Sequence, residues 1–205
     1  MAPLLNLGIL VSGRGSNMDA VIGACLKKSI AAKVGVVISN KPEAPALQKA
    51  KKASISTVLL EHIKGEPKEV YDQRLVAELN KYGVDLVILA GFMRLISPVL
   101  LKAFPNRVIN IHPSLLPKFP GLHAQKQALD AKVSVSGCTV HFVDEGCDTG
   151  PIILQQTVPV LPHDTVQTLS ERILAEEHKL LPKAIDLMAT NKVKLHPNRQ
   201  VIIES

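Results

Sequence analysis

The feature that most constrains the fold of this chain is an alternation of near-continuous Val, Ile and Leu runs with amphipathic stretches. Leu7-Gly8-Ile9-Leu10-Val11, Val34-Gly35-Val36-Val37-Ile38, Ser56 to Leu60, Val84 to Ala90 and Arg107 to Ile111 read as strands. Met18 to Lys28, Glu43 to Ala53 and Pro67 to Lys81 read as helices between them, the last with proline in its first turn. Ser97 followed by Pro98 opens a short helix, with a hydroxyl cap and proline at the first helical position. A strand that is apolar at every residue has to be covered on both faces. The pattern therefore predicts an α/β fold with a mostly parallel sheet and helices on both faces. Ligands of such sheets bind beyond the carboxyl ends of the strands, so the chemistry is expected in the segments that follow them.

The second half changes character. Val133 to Val143 and Ile152 to Val160 are longer strands joined by the turn Asp144 to Gly150, which predicts an antiparallel hairpin. A long helix is expected from about Asp164 to Thr190, and Val193-Lys194-Leu195 and Val201-Ile202-Ile203 form a terminal hairpin around Pro197-Asn198. The 205 residues suit a single domain, with halves of about 1–105 and 106–205.

Charge narrows the partners. The net charge of +6 favours anionic ligands. Aromatic residues are only 3% of the chain and no long Lys/Arg block occurs, which argues against nucleic acid. Lys49, Lys51 and Lys52 read as a solvated helix face. Phosphorylated small molecules are the simplest ligands left. No apolar run approaches the about 18 residues of a membrane span, and the first residues lack the features of a secretory signal. The three cysteines, Cys25, Cys138 and Cys147, form no paired motif and read as reduced thiols. A cytoplasmic protein is expected.

Three segments carry candidate chemistry. Ser12-Gly13-Arg14-Gly15-Ser16-Asn17 lies between the first strand and the first helix, where glycines admit a ligand to the backbone and the helix start offers free N–H groups. The third glycine of a dinucleotide fingerprint is replaced by Met18, and the second strand runs into Ser39-Asn40-Lys41-Pro42 without an acidic end, so a monophosphate fits better than a dinucleotide. Asn110 and His112 stand two apart at a strand end and share a face. A carboxamide and an imidazole side by side can both donate to one developing oxyanion. Asp144-Glu145-Gly146-Cys147-Asp148-Thr149-Gly150-Pro151 holds three carboxylates, one of which is expected to meet His112 and favour its charged form. The local sequence leaves open which one. Cys138, His141 and Cys147 match no zinc spacing, so no metal is expected, and His141 reads as an ordinary strand residue facing away from Cys138. No serine-hydrolase elbow is present.

Taken together, Ser12 to Asn17, Ala90-Gly91-Phe92-Met93-Arg94, Asn110-Ile111-His112-Pro113-Ser114-Leu115-Leu116-Pro117, Pro120-Gly121-Leu122-His123 and Asp148-Thr149-Gly150-Pro151 resemble the folate-dependent formyltransferases, and among them the glycinamide ribonucleotide formyltransferases of purine synthesis. The resemblance runs from about Leu5 to Leu195. It implies a Rossmann-like half that binds the ribonucleotide phosphate and a second half that is catalytic and binds folate. Asn110, His112 and Asp148 would be the catalytic group. Gly15, Ser16 and Asn17 would hold the phosphate. Met93, Arg94, Leu95, Ile96, Asp144, Glu145, Gly146 and Cys147 would line the folate pocket, largely through backbone. Lys68 stands where the family can carry arginine near the folate tail, which keeps the charge and loses the bidentate fork. The implied co-substrate is 10-formyltetrahydrofolate, with no metal, and the chain would act as a monomer or homodimer.

Glu177 is singled out by periodicity as well. Leu169, Ile173, Leu180, Ala184 and Met188 form an apolar stripe on the long helix, and Glu177 falls on it. A carboxylate there needs donors, and the resemblance implies ribose hydroxyls. Among relatives, a methionyl-tRNA formyltransferase is expected to continue past Ser205 with an RNA-binding domain, and a formyltetrahydrofolate hydrolase has no use for a phosphate loop. A non-catalytic nucleotide or folate sensor has no need of Asn110, His112 and Asp148 together.

Overall fold

A computed structural model describes residues 3–204. The chain divides into two compact units, 1–109 and 110–205.

In the first unit the strands are β1 (Leu5–Val11), β2 (Ala32–Ser39), β3 (Ser56–Leu59), β4 (Leu86–Leu89) and the start of β5 (Val108–His112), in the order β3-β2-β1-β4-β5. The β1–β2, β2–β3 and β1–β4 pairs are parallel. Leu7, Ile9, Val36, Val37, Ile38, Leu86, Val87 and Ile88 have no exposed surface, as the uninterrupted apolar runs require. The helices are α1 (Ser16–Leu26), α2 (Pro45–Lys52), α3 (Lys68–Lys81) and α4 (Pro98–Ala103). Ser97 caps α4 by accepting the Val99 N–H at 3.3 Å, as the Ser-Pro pair predicts. Packing is tight where β1 meets α3: a Cβ on Gly8 would fall 2.6 Å from Leu79 Cδ2.

In the second unit β5 continues through Asn110 to His112 and is followed in the sheet by β6 (Val135–Phe142) and β7 (Ile152–Pro159), the last two antiparallel. The expected hairpin and long helix are both present, the latter as α6 (Val166–Ala189). Thr165 and Thr168 cap α6 reciprocally, while Asp164 pairs with Arg172 at 2.7 Å instead of leading the helix. The apolar stripe faces inward, with Leu169, Ile173 and Ala184 fully buried. The tail forms the expected hairpin of β8 (Val193–Leu195) and β9 (Val201–Ile203). One helix, α5 (Ala124–Asp130), was not expected. It is short, and it starts after His123 in a left-handed conformation with no side-chain cap, so neither periodicity nor a capping residue marks it.

No helix among the described residues is long and apolar enough to cross a membrane.

Candidate active site

In the first unit the glycine loop leaves β1 and enters α1 through Gly15, whose φ of +72° is left-handed. A side chain there is excluded twice, by the backbone angle and by Ala46, whose Cβ would stand 2.6 Å from an added Cβ. Arg14, Gly15, Ser16, Asn17, Gly91 and Met93 line a cleft of about 180 Å³. The N-terminal amides of α1 open toward a ligand at such a position. Asp19 in the first turn would oppose an anion, but Lys49 pairs with it at 2.6 Å. The loop is also braced by a contact the sequence did not reveal. Ser12 Oγ donates to Asn40 Oδ1 at 2.6 Å and accepts the Met93 N–H at 2.8 Å, and the Ser12 N–H reaches Gly91 O at 3.0 Å. This ties the glycine loop to the segment carrying Met93.

Along that segment Met93 and Leu95 are exposed, whereas Ile96 is buried. Arg94 is half-buried with its guanidinium 4.1 Å from the centre of the buried Tyr71 ring. Lys68 is the exposed first residue of α3.

In the second unit the strand alternation of β5 works as expected for Asn110 and His112, and the turn after β6 delivers Asp148, not Asp144, to them. His112 Nδ1 stands 3.3 Å from Asp148 Oδ2, which also accepts the Gly121 N–H at 2.8 Å. Asn110 Nδ2 lies 3.4 Å from Asp148 Oδ1. Burial pushes the Asp148 carboxyl upward, but the His141 side chain, the Gly121 N–H and the charge of His112 outweigh it and hold the group at about 2. Asp144 meets Arg199 instead. Glu145, Gly146 and Cys147 are exposed in the turn.

Two members of this cluster were missed. His141 Nε2 lies 3.2 Å from Asn110 Nδ2 and 3.6 Å from Asp148 Oδ1, and its Nδ1 donates to Phe142 O at 2.8 Å. His141 is 2% exposed. Strand alternation sets His141 apart from Cys138 but does not record that its face of β6 meets Asn110 and Asp148; the register irregularity beside it lies in β7, where Ile153 is passed over between Leu154 and Ile152. Gly150 lets the chain pass close beside it, since a Cβ there would fall 1.7 Å from Phe142 O. The second is the Phe119 carbonyl, which accepts from His112 Nε2 at 2.9 Å. Phe119 has a left-handed φ of +57° in the proline-rich loop, a turn the sequence does not announce. Both ring nitrogens of His112 thus face acceptors, an arrangement that the imidazolium form satisfies completely.

Glu177 lies on the buried face of α6 with 6% exposure, where periodicity placed it.

The cluster joins an ionised carboxylate, an imidazole and a carboxamide in a largely buried setting. Such a group can stabilise an oxyanion and move a proton. A profile of the formyl transferase family matches residues 5–185. The phosphoribosylglycinamide formyltransferase of Escherichia coli is 42% identical over 194 residues, which cover 95% of this chain and 92% of that protein. The trifunctional purine biosynthetic protein adenosine-3 of Drosophila melanogaster is 47% identical over 93% of this chain, which spans only 14% of that much longer protein. Among solved structures, glycinamide ribonucleotide transformylase 1 of Symbiobacterium toebii matches with a TM-score of 0.97 and 47% identity, covering 100% of this chain and 96% of that one.

Proposed function

The chain belongs to the formyl transferase family, and we propose that it transfers the formyl group of 10-formyltetrahydrofolate to the amine of 5'-phosphoribosylglycinamide. The products are 5'-phosphoribosyl-N-formylglycinamide and tetrahydrofolate, in the cytoplasm, as a step of de novo purine biosynthesis. The observation that carries this reading is the contact of His112 Nδ1 with an Asp148 carboxylate held at about 2, beside Asn110.

Gly15, Ser16 and Asn17 hold the ribonucleotide phosphate with backbone amides at the start of α1. Glu177 accepts from its ribose hydroxyls. In the first unit Met93, Arg94, Leu95 and Ile96 contact the folate, with Lys68 near its tail, and in the second unit the 144–147 turn contacts it. His112 and Asn110 donate to the formyl oxygen as the substrate amine forms its bond to the formyl carbon. For this the formyl oxygen takes the place of the Phe119 carbonyl at His112 Nε2 and displaces the longer Asn110 contact to Asp148. Asp148, acting through water, receives the ammonium proton and passes it to the folate nitrogen as the old carbon–nitrogen bond breaks. The chain's own groups supply the charge stabilisation and the proton path.

The test is a single assay. Purified protein with both substrates is expected to release tetrahydrofolate only when the ribonucleotide is present. Equal release without the ribonucleotide would make the protein a formyl-folate hydrolase.

A further inference from the structure

The family profile ends at residue 185, yet the tail beyond it grips the turn that carries Asp148. Much of that turn is folded by its own contacts. Asp144 Oδ1 accepts the Gly146 N–H at 3.1 Å and the Thr149 hydroxyl at 2.7 Å. A side chain at Gly146 would push the Thr149 hydroxyl off Asp144, since a Cβ would fall 2.0 Å from Thr149 Oγ1. An anchor from outside the turn is Arg199, whose Nη2 donates to Asp144 Oδ2 at 2.5 Å and to the Thr149 carbonyl at 3.0 Å. It thereby joins the two ends of the turn.

Arg199 is aimed by the turn between β8 and β9. Its φ is +67°, and the turn is closed by His196 N–H to Gln200 O and Arg199 N–H to His196 O, both at 2.9 Å. Asn198 adds a side-chain bond from the Gln200 N–H at 3.1 Å. Asp148 has separate anchors in Gly121, His112 and His141. Loss of Arg199 therefore loosens the 144–147 backbone more than the Asp148 carboxylate.

We infer that Arg199 is a positioning residue for the formyl donor: by clamping Asp144 and Thr149 it holds the turn in the shape whose backbone meets the folate. This rests on reading that turn as a wall of the folate pocket. The Arg199 side chain is 61% exposed, so the effect is modest. Arg199→Ala is expected to raise KM for 10-formyltetrahydrofolate by about 3- to 10-fold, the range between an exposed ion pair and a charge-assisted hydrogen bond. It should leave kcat within about two-fold and KM for the ribonucleotide unchanged, as Asp148 keeps its own partners. Arg199→Lys keeps the charge with a single donor group and should recover part of the lost affinity.

Melting curves accompany the kinetics. An unchanged donor KM in Arg199→Ala, whether or not the melting temperature falls, would overturn the inference and leave Arg199 a brace of the terminal hairpin. A fall in kcat alone would also overturn it. Should Arg199→Ala fail to melt cooperatively, the Arg199→Lys and Arg199→Gln pair supplies the same comparison of donor KM. Failure of the formyl-transfer reading itself is distinguishable, because it would appear in the wild-type protein as no ribonucleotide-dependent release of tetrahydrofolate.

Discussion

The glycine loop of the first unit and the His112 cluster of the second are built from opposite materials. The loop is six consecutive residues that offer backbone amides, and at its entry to α1 it demands the absence of a side chain: Gly15 has neither the φ nor the space for one. The cluster is assembled from β5, the Phe119–Gly121 loop, β6 and the turn after it, and it offers side-chain heteroatoms that lie 3.2–3.6 Å from one another. Backbone recognition suits a ligand whose charge is fixed. Side-chain recognition suits a reaction in which charge appears and a proton moves. The first region should therefore fail through added atoms and lost affinity, and the second through removed heteroatoms and lost turnover.

The largest effect is expected from the cluster. His112→Ala should cost at least about 100-fold in kcat, as for removal of one oxyanion donor, with the far-ultraviolet circular dichroism unchanged. Near-normal turnover would take His112 out of the catalytic group. Glu177→Gln should weaken ribonucleotide binding by roughly 10- to 150-fold, the worth of hydrogen bonds to a charged group, while folate binding and melting temperature stay as they were. Calorimetric titration with each ligand checks this, and equal weakening of both ligands would make Glu177 a structural residue. Gly15→Ala should raise KM for the ribonucleotide by about 10-fold or more through backbone strain of ~1–3 kcal/mol and the Ala46 clash, with kcat changed much less. A loss confined to kcat would show that the loop does not act through binding.

The remaining effect is on stability and not on binding or turnover. The Asp148 carboxyl is depressed from 3.8 to about 2 in the folded chain. Its contribution is therefore present above about pH 4 and is lost as pH falls through 2. The depression corresponds to ~2 kcal/mol. Denaturant unfolding of the wild type and Asp148→Asn should differ by about that much more at pH 5 than at pH 2. A gap that is independent of pH would contradict the ionised, partnered carboxylate.

The same contrast explains what could be read from the sequence. A site made of consecutive backbone is written locally, so Gly15, Ser16 and Asn17 stood out with their strand and helix. The β5 pair Asn110 and His112 was legible because strand alternation holds there. Element ends moved by a residue or two, as at α1, which starts at Ser16 where Met18 was expected. The rest depends on contacts that no local pattern records. Asp148 could not be separated from Asp144 by sequence, because only the folded turn sends one to His112 and the other to Arg199. His141 was hidden because its partners, Asn110 on β5 and Asp148 in the turn, are brought to it only by the folded sheet. The Phe119 acceptor is a main-chain atom in a left-handed residue, and Ser12 acts through partners 28 and 81 positions away.

The central claim is that Asp148 and His112 act as one catalytic unit. A double-mutant cycle on kcat with His112→Ala, Asp148→Asn and the pair together tests it most directly. Each single variant is expected to lose about 100-fold or more, and the double variant should lie within a few-fold of the worse single one. Losses that multiply in the double variant, or a single variant that retains near-normal turnover, would contradict it.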